Sequence, residues 1–245
     1  MGLFGGLFKK NLAPFDLSLI GTDIHSHLIP GIDDGARTMD ESIAMLAKFE
    51  SLGYKKVITT PHIMSEVYPN NAERILEGLE QVRENAQKLG LKIEIEAAAE
   101  YYFDETLELR IKDKRLLTFG DNFVLTEFAF HNAPQFEGKL FFDMQMAGFK
   151  PVLAHFERYL YFLGSVDKAV EYREKGVNIQ VNINSLSGHY GQEVKKQAQR
   201  LIDAQLVDFI GTDCHRIDHL MLLEASLTNE YIHKLADLKL KNQTL

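Results

Sequence analysis

Two histidines one residue apart, His25 and His27, stand behind an apolar run in the stretch DIHSHLIPGIDDGA, with Asp34 in a glycine-bracketed turn just beyond. On an extended segment successive side chains point to opposite sides, so the two imidazoles face the same way and can reach one point. Groups of the same chemistry recur along the chain at His62, Glu100, Glu127, His155, Asp213 and His215. Five imidazoles and four carboxylates, with no thiolate, suit Zn²⁺, Mn²⁺ or Fe²⁺ in a reactive site better than a structural cysteine-type zinc. Nine ligands exceed the needs of one ion. Two or three ions sharing a carboxylate would use them all, and Glu100 is the expected bridge. Taken singly, each residue has a plainer reading. His62 or Glu100 can end a strand, Glu127 can pair with a lysine, Asp213 and His215 can bond a turn, and Asp34 is ordinary turn chemistry.

Those plainer readings leave the positions unexplained. Seven short apolar runs recur, at 19–25, 56–60, 93–98, 123–127, 151–155, 178–182 and 207–212. Between them, residues 40–52, 71–89, 136–147, 166–175 and 192–204 have helix-forming composition and apolar spacing near 3.6. Gly90 and Gly176 read as helix ends, because glycine takes the left-handed conformation cheaply. Alternating strand and helix implies parallel strands joined by right-handed crossovers. Every candidate ligand except Asp34 closes or closely follows one of the runs, as do Asn182 and Asn184 after the sixth. A closed parallel sheet gathers such carboxyl ends on one rim, where barrels carry their active sites, whereas an open sheet spreads them along an edge. The expected fold is therefore α/β, a closed or nearly closed (β/α)7 TIM-like barrel, with the segment after His219 packed as helix outside it.

The chain of 245 residues, 45% hydrophobic, is long enough to bury a sizeable core and near the usual size of an α/β barrel. No repeat, low-complexity tract or proline-rich linker divides it, so 19–245 read as one domain behind an N-terminal tail, 1–18. A formal charge of −8 argues against nucleic acid as the main partner. The single cysteine, Cys214, cannot form an internal disulfide and fits a reducing, cytoplasmic compartment. It lies between two expected ligands and faces away from them, so it reads as buried and inert. The opening MGLFGGLFKK is apolar and then basic, the reverse of a secretory signal, and too short to cross a bilayer. Leu3, Phe4, Leu7 and Phe8 ahead of Lys9 and Lys10 allow at most a peripheral contact with a membrane or partner. Self-association stays open.

The stretches DIHSHLIPGIDDGA, TTPH, AAAEYY, TEF, LAHFER and GTDCHR follow one another across residues 23–219. Together they resemble the polymerase and histidinol phosphatase (PHP) superfamily, and within it the capsule and exopolysaccharide branch of metal-dependent protein-tyrosine phosphatases. The resemblance implies a distorted barrel carrying three divalent ions, manganese first, with iron or zinc as alternatives. It implies removal of phosphate from tyrosines on a bacterial tyrosine autokinase that controls polysaccharide export. One ion would be held by His25, His27, Glu100 and Asp213, a second by Glu100, Glu127 and His155, a third by Asp34, His62 and His215. Arg158, in HFER, matches a family arginine that contacts phosphate. Phe156 stands where relatives often have isoleucine or proline, a change without consequence for the chemistry. A second family arginine after the last Asp-x-His has no counterpart: Leu220 falls there, and Arg216 is only a neighbour.

A phosphate monoester dianion repels an attacking anion, so hydrolysis needs neutralised charge and a hydroxide available near neutral pH. Clustered divalent ions supply both, bringing the pKa of bound water towards about 7. The expected reaction is in-line attack by a hydroxide shared between ions, without a phosphoenzyme. Arg158 would add a planar fork matched to phosphate oxygens, its plainer role being a salt bridge to Glu157. The leaving phenolate has a conjugate acid of pKa about 10, so a proton donor helps modestly; His131 and Asp34 are the candidates. Tyr68 and Tyr102, with Tyr101 and Phe103, are candidates for an aromatic wall, ordinary packing being the alternative. Rival readings are a histidinol-phosphate phosphatase with the same metals and a pocket for a small alcohol, and a non-catalytic, metal-dependent module that binds a kinase tail. A thiol phosphatase needs an arginine six positions after its cysteine, where this chain has Leu220.

Overall fold

The computed structural model describes residues 12–245; the apolar-basic opening, and with it the expected peripheral contact, lies outside the described residues. Among the described residues the strands are β1 Thr22–Asp23, β2 Lys56–Thr59, β3 His62–Ile63, β4 Glu94–Ala97, β5 Glu100–Tyr102, β6 Phe123–Glu127, β7 Lys150–Leu153, β8 Asn178–Asn182 and β9 Phe209–Gly211. Every pairing between them is parallel, in the orders β1-β2-β4 and β3-β5-β6-β7-β8-β9. Pro61, which has no N–H to donate, separates β2 from β3. The two sheets stay joined across that break, since Ala98 N–H donates to the Thr59 carbonyl at 2.9 Å and Glu100 N–H to that of Pro61 at 3.1 Å.

The far edges also approach one another. Ser26 and Cys214 form a parallel bridge. Around it Asp213 N–H donates to the His25 carbonyl and His27 N–H to that of Cys214, both at 2.8 Å. The result is a mixed α/β fold with a curled parallel sheet. Ile24, Ile58, Ala98, Leu125, Val152, Ala154 and Phe209, drawn from strand runs all round the curl, pack together in a small cluster on its concave side. A much larger apolar layer, including Met45, Phe49, Leu79, Phe141, Tyr172, Leu201 and Leu223, lies under the helices.

Five helices fall where the apolar spacing puts them: α1 Met39–Ser51, α2 Ala72–Lys88, then, after a shorter one, α4 Glu137–Met146, α5 Asp167–Glu174 and α6 Gln192–Asp203. The shorter one, α3 Glu105–Lys112, is absent from the sequence reading. It is two turns long, buries only Leu107 and Ile111, and starts because the Asp104 carboxylate accepts from the Thr106 and Leu107 amides. Thr38 and Asn71 cap α1 and α2 in the same way. The last segment is helical, α7 Ile217–Ser226 and α8 Glu230–His233, and buries Leu220, Leu223, Leu227 and Ile232. No helix among the described residues is long and apolar enough to cross a membrane.

Candidate metal centre

The first run ends in two tight constructions that aim His25 and His27. Gly211 faces His25, where an added Cβ would lie 2.6 Å from the His25 Cβ. Gly35 turns back on His27, where a Cβ would meet the His27 carbonyl oxygen at 2.2 Å, so only glycine lets the 33–35 turn close. Two other expected ligands sit on strained backbone: His155 at φ 32° and Asp213 at φ 52°, a region that side-chain-bearing residues rarely occupy. Each reverses its chain just past a strand end, and strain of this kind persists where the surroundings over-determine it, often at functional sites.

The nine expected ligands come together. Glu100, fully buried, is the hub: Oε2 lies 3.0 Å from His25 Nε2, 3.2 Å from His62 Nδ1 and 3.5 Å from His27 Nε2, while Oε1 lies 3.0 Å from His155 Nε2. Asp213 Oδ1 is 3.5 Å from both His25 and His27 Nε2 and 3.4 Å from His215 Nδ1. Glu127 reaches His62 Nδ1 at 3.3 Å and His155 Nε2 at 3.7 Å. Asp34 Oδ1 stands 3.5 Å from His62 Nε2 and 3.4 Å from His215 Nε2. Four overlapping sets have ligand atoms close enough for one ion: His27, Asp34, His62 and His215; His25, Glu100 and His155; His25, His27 and Asp213; His62, Glu100 and Glu127.

The donor chemistry fits divalent cations. His27 Nε2 and His62 Nδ1 are buried without a hydrogen-bond partner although carboxylate oxygens stand before them. Buried polar atoms are rarely left so. Charge says the same. Burial alone would lower His25, His62 and His215, yet facing carboxylates, Glu100 and Asp213 foremost, hold them up at about 9, 10 and 9. Burial would raise Glu100, but the His25 and His62 imidazoles keep it well below the usual carboxylate range. For His155 burial prevails and the imidazole is held low. A cluster of acids this dense needs positive charge, from protons on the imidazoles or from cations in their place.

A second layer, unread in the sequence, fixes which nitrogen faces inward. His27 Nδ1 pairs with Asp33 Oδ2 at 2.8 Å, and that carboxylate also accepts from the Gly35 and His62 amides. His25 Nδ1 meets Gln180 Oε1 at 3.1 Å, and the same oxygen accepts from the His155 amide at 2.8 Å. Both leave Nε2 for the centre, the arrangement that orients metal-bound histidines. Gln180 had a visible signal, a polar residue inside the apolar run NIQVN; Asp33 was hidden by its neighbour Asp34.

Above this cluster opens a cavity of about 600 Å³. Arg158 lines it with its guanidinium between the rings of Phe130 and Tyr190, each centroid 4.3 Å away, and donates from Nη1 to Asp213 Oδ2 at 2.9 Å. The salt bridge to Glu157 is thus not its role. Glu157 is buried and accepts from the Asn182 amide and the Ser185 hydroxyl, burial pushing its carboxyl up to about 7. Tyr68 and Tyr102 line the cavity, Tyr68 stacked on His62 at 5.5 Å. Tyr101 is buried, its hydroxyl accepting from the Leu117 amide, and Phe103 packs edge-on against Phe128, so neither belongs to the wall.

His131 is a correction: it is exposed and does not line the cavity, because the chain turns outward after Phe130. His189 and His219 line it instead. Arg216 sits at the mouth, exposed and paired with Asp218, while Leu220 is buried. Cys214 is buried with its thiol pushed well above its ordinary value, first by burial.

The sequence model of a family described as "Capsular polysaccharide synthesis, CpsB/CapC" matches residues 21–234. The chain belongs to the CpsB/CapC family. Its similarity to the tyrosine-protein phosphatase YwqE of Bacillus subtilis is 30% identity over 235 residues, 91% of this chain and 92% of that one. To the tyrosine-protein phosphatase CpsB of Streptococcus pneumoniae it is 29% over 202 residues, 80% and 83%. A chain from the crystal structures of YwqE and CpsB, described as unique metal-dependent tyrosine phosphatases, superposes with a TM-score of 0.77 at 29% identity, covering 91% of this chain and 96% of that one. The histidinol phosphate phosphatase of Lactococcus lactis superposes at 0.50 with 14% identity, a likeness of fold alone.

Proposed function

We propose that this CpsB/CapC protein is a metal-dependent tyrosine-protein phosphatase, a phosphoric monoester hydrolase acting on phosphotyrosine in a protein of the capsule-synthesis setting. The observation that carries the reading is Glu100, fully buried with four imidazoles turned on it, two of them through nitrogens that lack hydrogen-bond partners. The names of its relatives YwqE and CpsB supply the substrate class. In finer detail we read three ions, manganese first, with Glu100 shared and the other eight ligands divided among them. When bound, such ions neutralise the phosphate and make water acidic enough to attack it near neutral pH.

The chain's own part is positioning. Arg158 spends Nη1 on Asp213, and its remaining N–H donors are free for non-bridging phosphate oxygens. Asn182 Nδ2, at 2.8 Å from Asp213 Oδ2, holds the same carboxylate from the other side. Tyr68 and Tyr102 offer ring faces to an aromatic substrate in a cavity of suitable size. We also read the two sheets as one distorted seven-run barrel, closed at the rim by Ser26 and Cys214, within a single domain 19–245. A tyrosine autokinase is the partner we favour, and a cytoplasmic setting suits a chain whose single cysteine, Cys214, is buried.

The test is metal analysis of the purified protein beside turnover of a phosphotyrosine peptide and of histidinol phosphate, wild type against His155→Ala. Metal-dependent peptide turnover lost in His155→Ala is the expected result. Full turnover in the variant, or preference for histidinol phosphate, overturns the reading.

A further inference from the structure

Beside the metal cavity lies a second one of about 470 Å³, and the two share the walls Met64, Val67 and Tyr102. One side is a loop closed on itself: Met64 and Tyr68 exchange both backbone hydrogen bonds, at 2.9 and 3.0 Å, which holds Glu66 and Val67 at its tip. The other side is the start of α3. The Ser65 amide donates to Asp104 Oδ2 at 3.0 Å and ties the two sides together, so the groove has a fixed width. Its apolar wall is open to solvent, Val67 being 59% exposed. Its charge is one-sided, for Glu66, Asp104 and Glu105 line it and, among the described residues, no lysine, arginine or histidine does.

We propose that this groove receives the peptide chain flanking the phosphotyrosine and selects substrates with cationic residues beside it. The inference rests on the phosphatase reading and deepens it. A phosphotyrosine in a protein arrives with chain on both sides, and a side chain seated in the metal cavity carries that chain across the shared wall. At the centre the phosphate meets Arg158; a few residues away the chain meets carboxylates. A peptide that is anionic at its tyrosine and cationic beside it matches both ends at once, whereas an acidic flank meets like charge at the groove. Rim charges act mainly on encounter and selectivity, and each exposed pair is weak, so the preference is a modest multiple that falls with salt.

The test uses the full chain with Mn²⁺ and three substrates: a phosphotyrosine nonapeptide flanked by lysines, the same peptide flanked by glutamates, and p-nitrophenyl phosphate, which has no flanking chain. The lysine peptide is expected to lead in kcat/KM by about fivefold to tenfold at low salt, on the order expected for a few rim charges. Glu66→Lys with Glu105→Lys should abolish or reverse that lead and leave p-nitrophenyl phosphate turnover unchanged. Equal kcat/KM for the two peptides with the unaltered protein overturns the proposal while the phosphatase reading stands. So does a lead that survives the double substitution. Absence of turnover on all three substrates sinks both.

Discussion

At the amino ends of the strands, β1 and β9 are bridged by a side chain from the end of the chain, and one step further along Asp23 accepts from the Thr212 amide at 2.8 Å. Asn242 donates from Nδ2 to the Thr22 and Ile210 carbonyls at 2.9 and 2.7 Å, and its Oδ1 accepts from the Ile210 amide at 3.0 Å. At the carboxyl ends the same two runs meet directly through Ser26 and Cys214, and just inside that junction His27 Nε2 has no partner at all. At the lower junction every polar atom of the bridging amide is bonded; at the upper one His25 and His155 bond Glu100 while His27 Nε2 and His62 Nδ1 are left without partners. A fold gains nothing from a buried imidazole nitrogen facing a carboxylate it does not bond, since an unsatisfied polar atom costs about 1–3 kcal/mol. The contrast marks the lower end as built for holding the sheet and the upper end as built for a ligand.

Removing the hub should break the contrast most visibly. Glu100→Gln takes a negative charge from the reach of His25, His27, His62 and His155 at once. Turnover of phosphotyrosine peptide is expected to fall on the order of 10³-fold or more, since bound cations contribute several kcal/mol to charge stabilisation. Bound metal measured by mass spectrometry should fall with it, while the far-ultraviolet circular dichroism spectrum stays native. Unchanged turnover would make the upper end a structural network like the lower.

The lower end answers to a different measurement. Asn242→Ala strips partners from three buried backbone groups, at a cost of about 3 kcal/mol. For a chain of this size that lowers the unfolding midpoint by roughly 6–12 °C. With metal saturating and temperature well below the midpoint, kcat should not move. A large fall in kcat without loss of stability would mean that the two ends are coupled through β1 and β9.

Between these extremes lies the layer that aims the ligands. Asp33→Asn weakens the grip on His27 Nδ1 and leaves every expected ligand in place. Mn²⁺ affinity, followed by titration of the metal-stripped protein, should drop about 10- to 100-fold, the usual cost of losing such a partner. Activity should return at high metal. Activity that stays low at saturating Mn²⁺ would give Asp33 a part in the chemistry rather than in positioning.

These layers differ in how far the sequence reveals them, for physical reasons. Eight of the nine candidate ligands were legible because each closes or closely follows a run, and strand ends in a parallel sheet share a rim; Asp34 was read from the turn after the first run. Gathered in one cluster, the nine overlap closely, with Asp34, His62 and His215 together and His62 also near Glu100 and Glu127. Seven strands were legible as short apolar runs and five helices from period; β3 and β5, two and three residues long, were not among the runs. Helix α3 was not legible, because two turns carry too few apolar positions to show a period. Gln180 was missed because its role beneath His25 and the His155 amide arises only when distant strands pack, and Asp33 because Asp34 beside it claimed the same turn. His131 misled because histidine type alone says nothing of which way a loop turns. Asn242 could not be found at all: nothing in KNQTL announces an amide that replaces a strand pairing.

The smallest expected effect concerns the clamp on Arg158. Phe130 and Tyr190 cover both faces of its guanidinium, which leaves only the edge to meet partners, and Asp213 already takes part of that edge. Tyr190→Ala uncovers one face and frees the fork to swing. A partly buried cation–π contact contributes about 1–2 kcal/mol, so KM for phosphotyrosine peptide should rise roughly fivefold to thirtyfold, with a smaller change in kcat. Tyr190→Phe separates ring from hydroxyl. The hydroxyl stands 3.5 Å from Asp213 Oδ2, too far for a strong bond, so the ring should suffice and the phenylalanine variant should behave as wild type. If phenylalanine fails as alanine does, the hydroxyl on Asp213 is what matters, and the guanidinium is held in place by its ion pair rather than by the stack.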